Sequence, residues 1–104
     1  MKLRKHRWSR AYESAEEELE LFLEKHNIQA DRWTAEPGEA IPGEASKQDK
    51  RLWCAEGTVI YAVNGQDISL QPGDTLDIPA QMYHEAQTGL GGCICYQHST
   101  DAKA

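Results

Sequence analysis

The residues of this 104-residue chain best suited to proton transfer, nucleophilic attack or metal ligation are four histidines and three cysteines. His84 stands between Tyr83 and Glu85. An imidazole titrates near neutral pH, which suits it to proton transfer or to hydrogen bonding with a ligand, although a histidine in a strand can equally be a satisfied packing residue. Cys93 and Cys95 are two residues apart in a strand-like run, so they share one face at about 6.6 Å along it, from the ~3.3 Å rise per residue. That spacing converges poorly on one ion. The two cysteines and Cys54 are therefore expected to be buried thiols packing as small hydrophobes, with a redox or zinc role for Cys93, Cys95 and His98 as the alternative. The acidic run Glu16, Glu17, Glu18 and Glu20 offers carboxylates, but at a helix start the macrodipole favours such charge without any metal. His26, near the end of the same helix, reads as a packing or capping residue.

Charge is unevenly spread. Lys2, Arg4, Lys5, Arg7 and Arg10 place five of the eleven basic residues in the first ten positions, while the whole chain carries 17 acids and a formal charge of −6. The remaining 94 residues hold 6 basic against 17 acidic side chains, a charge of −11. A basic arm can contact phosphates, but this acidic body repels a phosphate backbone and offers the arm intramolecular partners. Nucleic-acid binding is not expected. No membrane span and no secretory signal is legible. With an odd number of cysteines, reduced thiols and a cytoplasmic location are expected.

These residues must be positioned by short elements, since the chain is long enough for one domain only and its 39% hydrophobic content and mean hydropathy of −0.70 leave apolar residues for one face of each. Ser14 with Glu17 has capping-box spacing, and Ala15, Leu19, Phe22, Leu23 and His26 line one helical face, ending at Asn27. Residues 1–27 are thus expected as a basic arm and an amphipathic helix packed on a body formed by 28–104. In that body, turn signals recur at Pro37-Gly38, Pro42-Gly43, Glu56-Gly57, Asn64-Gly65, Pro72-Gly73, Pro79 and Gly89 to Gly92. Strand-like runs lie between them at Leu52–Ala55, Thr58–Val63, Asp67–Leu70, Thr75–Ile78, Tyr83–Gln87 and Cys93–Gln97. Asn64-Gly65 is a two-residue hairpin signal. Many short strands predict a mainly β sandwich or barrel.

The segment from Gly38 to Thr88 resembles the two motifs of the cupins, small jelly-roll β-barrels. In the second motif, G-x5-P-x-G-x2-H-x3-N, this sequence keeps Gly73, Pro79 and His84, with Gln81 in place of the last glycine and Thr88 in place of asparagine. In the first, G-x5-H-x-H-x3-E-x6-G, Gly38 and Gly57 hold the glycine positions while Glu44, Ser46 and Lys50 occupy the ligand positions. Fifteen residues, Thr58 to Pro72, separate the two. The resemblance implies a cupin jelly-roll barrel with an added N-terminal α-helix, and a pairing of barrels into a homodimer. It also implies a cavity faced by residue 84 and by the first-motif positions. Family members commonly hold a divalent metal there with three histidines and a glutamate. Here only Glu44 and His84 remain as ligands, and Lys50 brings an ammonium with no lone pair to give. No cofactor is expected beyond a weak divalent ion on His84 and Glu44.

Lys50 and Glu44 are expected to form a salt bridge, or else Lys50 attracts a carboxylate or phosphate. Strand alternation from Lys50 sends Leu52 and Cys54 inward and Trp53 outward. The pocket expected around Glu44, Lys50, Leu52, Gln81, Tyr83 and His84 would hold a small polar or anionic molecule. The alternative is a metal-dependent cupin enzyme, a dioxygenase or isomerase, with a rearranged site on His84 and Glu44. A third reading makes the barrel a structural or interaction surface.

Overall fold

A computed structural model describes residues 1–9 and 16–101. Two long strands organise it: β4 (Gln48–Val63) and β7 (His84–Asp101) run antiparallel along their whole length, from Gln48 opposite Asp101 to Val63 opposite His84. Midway the register shifts between Cys54 and Glu56 and again between Gly57 and Val59. These bulges bend the pair, so that each strand serves two sheets. The first half of β4 and the second half of β7 belong to one sheet, with β6 (Asp74–Ile78) and β1 (Arg4–Arg7) added beyond β4 and β2 (Asp31–Ala35) beyond β7. The other halves belong to a second sheet, flanked by β5 (Gln66–Leu70) and β3 (Ala40–Glu44). All seven strands pair antiparallel, and the result is a jelly-roll barrel with one α-helix, α1 (Glu16–Lys25).

The bend depends on two glycines. Gly57 has φ +74°, and a Cβ on it would fall 2.1 Å from the Gly92 carbonyl oxygen; Gly92 has φ +71°, and a Cβ there would fall 2.5 Å from the carbonyl oxygen of Ala35. Only glycine meets both demands. The Glu56-Gly57 and Gly89-to-Gly92 signals, expected to separate strands, are therefore bends within continuous ones. Asn64 and Gly65, at φ 51° and 78°, form the two-residue turn that aligns Val63 with Gln66, as both central residues of a type I′ hairpin require.

Side-chain alternation along β4 creates two cores. Leu52 and Cys54 point into the barrel with Tyr61, Leu70, Leu76 and Ile78. Trp53 and Ala55 point outward and are covered by Leu19 and Leu23 of α1, with Tyr96, Phe22, Trp8 and Ile28 around them. The helix ends as a Schellman motif: Asn27 has φ 56°, its N–H bonds the Glu24 carbonyl at 3.0 Å and the Ile28 N–H bonds the Leu23 carbonyl at 2.9 Å. This leaves Ile28 packed in the same cluster as Leu23, the apolar contact that accompanies such caps. Ser14 and Ala15 lie outside the described residues. Among those described, no helix is long and apolar enough to cross a membrane.

The basic N-terminus, expected as an arm packed on the body, is an edge strand of the sheet. Arg4–Arg7 pairs with β6 from Arg4 opposite Asp77 to Arg7 opposite Asp74, so the sheet begins at residue 4 and not at 28. Arg7 bonds Asp74 at 2.8 Å with Lys5 at 3.6 Å, and His6 and Arg51 lie 3.2 and 2.6 Å from Asp77. Both aspartates are buried, a state that carboxylates tolerate when paired. Arg10 lies outside the described residues.

Candidate functional site

A cavity of about 420 Å³ opens between the two sheets. It is built where β3 meets the start of β7, because Glu44 stands opposite His84 in the register and β4 places Lys50 and Leu52 on the same interior. Its apolar walls are Trp33 and Ala35 of β2, Ile41 of β3, Leu52 and Tyr61 of β4, and Ala86 of β7.

The polar heart of the cavity is a chain of three groups. The Lys50 ammonium, its side chain only 12% exposed, forms a salt bridge with the Glu44 carboxylate, which is 52% exposed. The same Glu44 oxygen lies 3.8 Å from His84 Nε2. His84 Nδ1 is 3.0 Å from the Met82 carbonyl. A carbonyl only accepts, so Nδ1 carries a proton and donates, and in the neutral ring Nε2 keeps its lone pair facing Glu44. Burial pushes His84 below its ordinary pKa, and the nearby Lys50 charge adds to this, against the opposing effect of the Met82 bond. The ring is therefore neutral at pH 7. Burial likewise lowers Lys50, and it raises Tyr61 well above the ordinary phenol value, keeping that hydroxyl protonated. The ring centroids of Tyr61 and His84 are 6.3 Å apart.

Four of the six residues expected around the pocket line it: Glu44, Lys50, Leu52 and His84. Gln81 and Tyr83 do not. Gln81 is exposed in the turn before β7, at φ 68°, with its N–H bonded to the Ser46 carbonyl at 2.7 Å. It takes up the left-handed conformation that the motif glycine at this position would supply. Tyr83 is 56% exposed, and its hydroxyl lies over Gly43, where an added Cβ would sit 2.0 Å from it. Both residues precede His84 in the turn and shape its approach from outside. Thr88, in the asparagine position, donates from Oγ1 to the Glu36 carbonyl at 2.5 Å and accepts from the Glu39 N–H at 2.9 Å, pinning the β2–β3 connection above the cavity.

Sequence reasoning misses Ile41 as a wall, and it treats Trp33 and Tyr61 only as aromatic residues that pack the core or line a pocket or a dimer contact, without assigning them to this cavity. The signal was available for Tyr61, two residues before Val63 on one strand face, but β2 and β3 lie in the turn-rich stretch before Leu52, where no strand was expected. Trp33 contributes more than area: its indole Nε1 is buried and has no hydrogen-bond partner among the described residues.

The cysteines sit inside the barrel and away from this chain of groups. Cys54 and Cys95 face each other across β4 and β7. Hydrogen bonds with Cys54 and Cys93, together with burial, push the Cys95 thiol far up, which makes it a poor nucleophile and ligand. His98 is on the opposite face of β7, with Nδ1 2.6 Å from the Gln29 carbonyl, so Cys93, Cys95 and His98 do not converge. Among the described residues no three His, Cys, Asp or Glu side chains group to hold a metal ion. At the positions where the resemblance implies a metal, the donors are one imidazole and one carboxylate that is already bonded to an ammonium. This set does not fit a divalent ion, which takes about three protein ligands even in an open catalytic site.

No family model and no curated protein sequence matches the chain; its likeness is to solved structures. A DUF861 family protein from Thermotoga maritima superposes with a TM-score of 0.66 over 95% of this chain and 100% of that one, at 14% identity. A cupin superfamily protein from Desulfitobacterium hafniense gives 0.65 over 96% of this chain and 78% of that one, at 18% identity. The cupin domain of Cnp3 from Schizosaccharomyces pombe gives 0.64 over 69% of this chain at 17% identity, and the match spans 55% of that chain. The fold is that of a small cupin-type domain.

Proposed function

We propose that this protein binds a small polar or anionic molecule in its barrel cavity, without a metal. The observation that carries this reading is the Lys50–Glu44 pair beside neutral His84: where the resemblance implies a metal and its ligands, this chain has an internal ion pair that occupies the one carboxylate. The cavity of about 420 Å³ is of the size that encloses a small ligand, and its groups are suited to orientation. Lys50 donates, His84 offers a lone pair, and the apolar walls bury the ligand's body. The reading is tested by a thermal-shift screen of small carboxylates, sugars and phosphates on protein prepared without affinity nickel. A true ligand raises the melting temperature in proportion to its occupancy and does so less in Lys50→Ala. Failure of every compound to stabilise the protein would leave the barrel a structural or interaction surface.

The metal-dependent alternative, an enzyme of dioxygenase or isomerase type on His84 and Glu44, has one observation in its favour. The His84 Nδ1 bond to Met82 aims Nε2 into the cavity, as outer-shell bonds do for metal-ligating histidines. Elemental analysis of the same preparation decides between them: stoichiometric iron, manganese or zinc that disappears in His84→Ala would overturn metal-free binding. The homodimer implied by the resemblance belongs to this reading too. Sedimentation equilibrium giving the mass of one chain, 11.7 kDa, would overturn it.

A further inference from the structure

Resting on the binding reading above, we infer that the ligand is a small monocarboxylate with a flat apolar body, whose carboxylate displaces Glu44 from Lys50 and accepts a second hydrogen bond from the Trp33 indole.

Three observations meet here. First, the two partners of the ion pair are unequally held. Lys50 is sequestered, whereas Glu44 is half exposed and sits at the end of β3, beyond an irregularity in its pairing between Ile41 and Glu44. An entering carboxylate replaces one anion on the ammonium by another, and the displaced Glu44 goes to water, where its charge is well solvated. The deep ammonium never stands unpaired, so the exchange avoids the large penalty of a lone buried charge. Secondly, the Trp33 side chain lines the same cavity, and its buried indole N–H has no acceptor among the described residues. Buried donors are almost always satisfied, and Glu44 does not satisfy this one. A ligand with two acceptor oxygens can serve Lys50 and Trp33 together, which makes it a better partner than the carboxylate it displaces. Thirdly, charge limits the ligand to one anionic group. Asp31, Glu39 and Glu85 surround the opening, and the chain carries −6, so a second carboxylate left near the mouth is repelled. The remaining surface, from Trp33, Leu52 and Tyr61, is apolar and aromatic and suits a ring or short hydrocarbon body.

Isothermal titration with benzoate and phenylacetate, their amides, and the dianion phthalate tests this on the full chain and on Glu44→Gln, Lys50→Met, Trp33→Phe and Ile41→Trp. The monocarboxylates are expected to bind the full chain and to bind Glu44→Gln several-fold more tightly, because the competing anion is gone. Lys50→Met weakens them by about tenfold or more, the effect of losing one charge-assisted hydrogen bond. Trp33→Phe keeps the ring and loses a few-fold, and Ile41→Trp, which fills the mouth, abolishes binding. Phthalate and the amides are the weaker ligands throughout. Amides that bind as tightly as their acids, or acids indifferent to both Glu44→Gln and Lys50→Met, would overturn the carboxylate while leaving a pocket that still binds. Absence of binding by every compound to every variant, with circular dichroism confirming that the variants fold, would overturn the pocket reading as well.

Discussion

The state of His84 follows from where one side chain sits. Burial holds its pKa below the ordinary 6.5, so in the interval between the lowered value and 6.5 the unfolded chain binds a proton that the folded chain does not. Stability therefore rises with pH through that interval and falls on acidification below about pH 6.5. Urea midpoints measured between pH 7.5 and 5 are expected to decline, and the decline is expected to shrink in His84→Gln; an equal slope in the variant would place the titrating group elsewhere. Lys50 makes a complementary case. Replacing a sequestered ion by an apolar chain of similar length is often neutral or stabilising, and its partner Glu44 is half exposed. Lys50→Met should accordingly keep stability within about 1 kcal/mol while losing the ligand, a separation that marks Lys50 as retained for binding. Gln81 shows what a departure from a motif means. It accepts a left-handed φ of 68° that costs a residue with a Cβ about 1 kcal/mol, and Gln81→Gly should recover much of that in a denaturation midpoint. The register of Glu44, Lys50 and His84 was legible from motif spacing alone. The state of the Trp33 indole N–H, without a partner among the described residues, was not, because it is a property of packing and leaves no trace in spacing.

At the scale of elements, the sequence marked hairpins and the helix well because their signals are local. Asn64-Gly65 and Asn27 each need positive φ, and the residue types declare it. Strand continuity was not local. Nothing in Glu56-Gly57 or Gly89 to Gly92 distinguishes a turn from a bulge; the difference lies in whether a partner strand continues past, and β4 and β7 supply that to each other. Gly57→Ala tests the bulge. The added methyl meets the Gly92 carbonyl at 2.1 Å and an unfavourable φ, and a loss of about 3 kcal/mol or more is expected; a loss below 1 kcal/mol would mean that the two sheets are not joined through this contact. The helix is fastened twice, by Leu19 and Leu23 below and by polar groups at its start. Tyr96 donates to Glu16 at 2.5 Å and lies 2.8 Å from Glu20, and Arg32 also bonds Glu16. Arg32 and then Tyr96 hold the Glu16 pKa below its usual value, so this fastening is complete at neutral pH and is lost as pH falls through the carboxylate range. Leu19→Ala, at a site with no exposure, should cost about 2–5 kcal/mol. Tyr96→Phe should cost about 1–2 kcal/mol and flatten the acid limb.

The whole molecule resolves its uneven charge by folding the basic segment onto the acidic body. Five bases in ten residues predict an arm with intramolecular partners, and β1 goes further by completing the sheet. It covers the edge of β6, sets Lys5, His6 and Arg7 against the buried Asp74 and Asp77, and leads into Trp8, whose indole donates to the Cys54 carbonyl at 3.3 Å and packs in the core under α1. That role was hidden in the sequence because four consecutive polar residues carry no strand alternation; what makes them a strand is the complementary pair of aspartates some seventy residues away. Removing residues 1–8 would leave a row of unpaired N–H and C=O groups on β6, the buried Asp74 without Lys5 and Arg7, Asp77 with Arg51 but without His6, and a gap where Trp8 packs. Open sheet edges recruit other chains, and a carboxylate that loses its counterions is expensive to keep buried. The truncated protein is expected to lose about 3 kcal/mol or more and to self-associate, read from denaturant midpoints and sedimentation velocity. Added salt should narrow the difference between the two proteins, since in the full chain it screens the half-exposed Lys5 beside Asp74, a pair the shorter chain does not have. A truncated chain with an unchanged midpoint and unchanged sedimentation would show the segment to be dispensable to the fold.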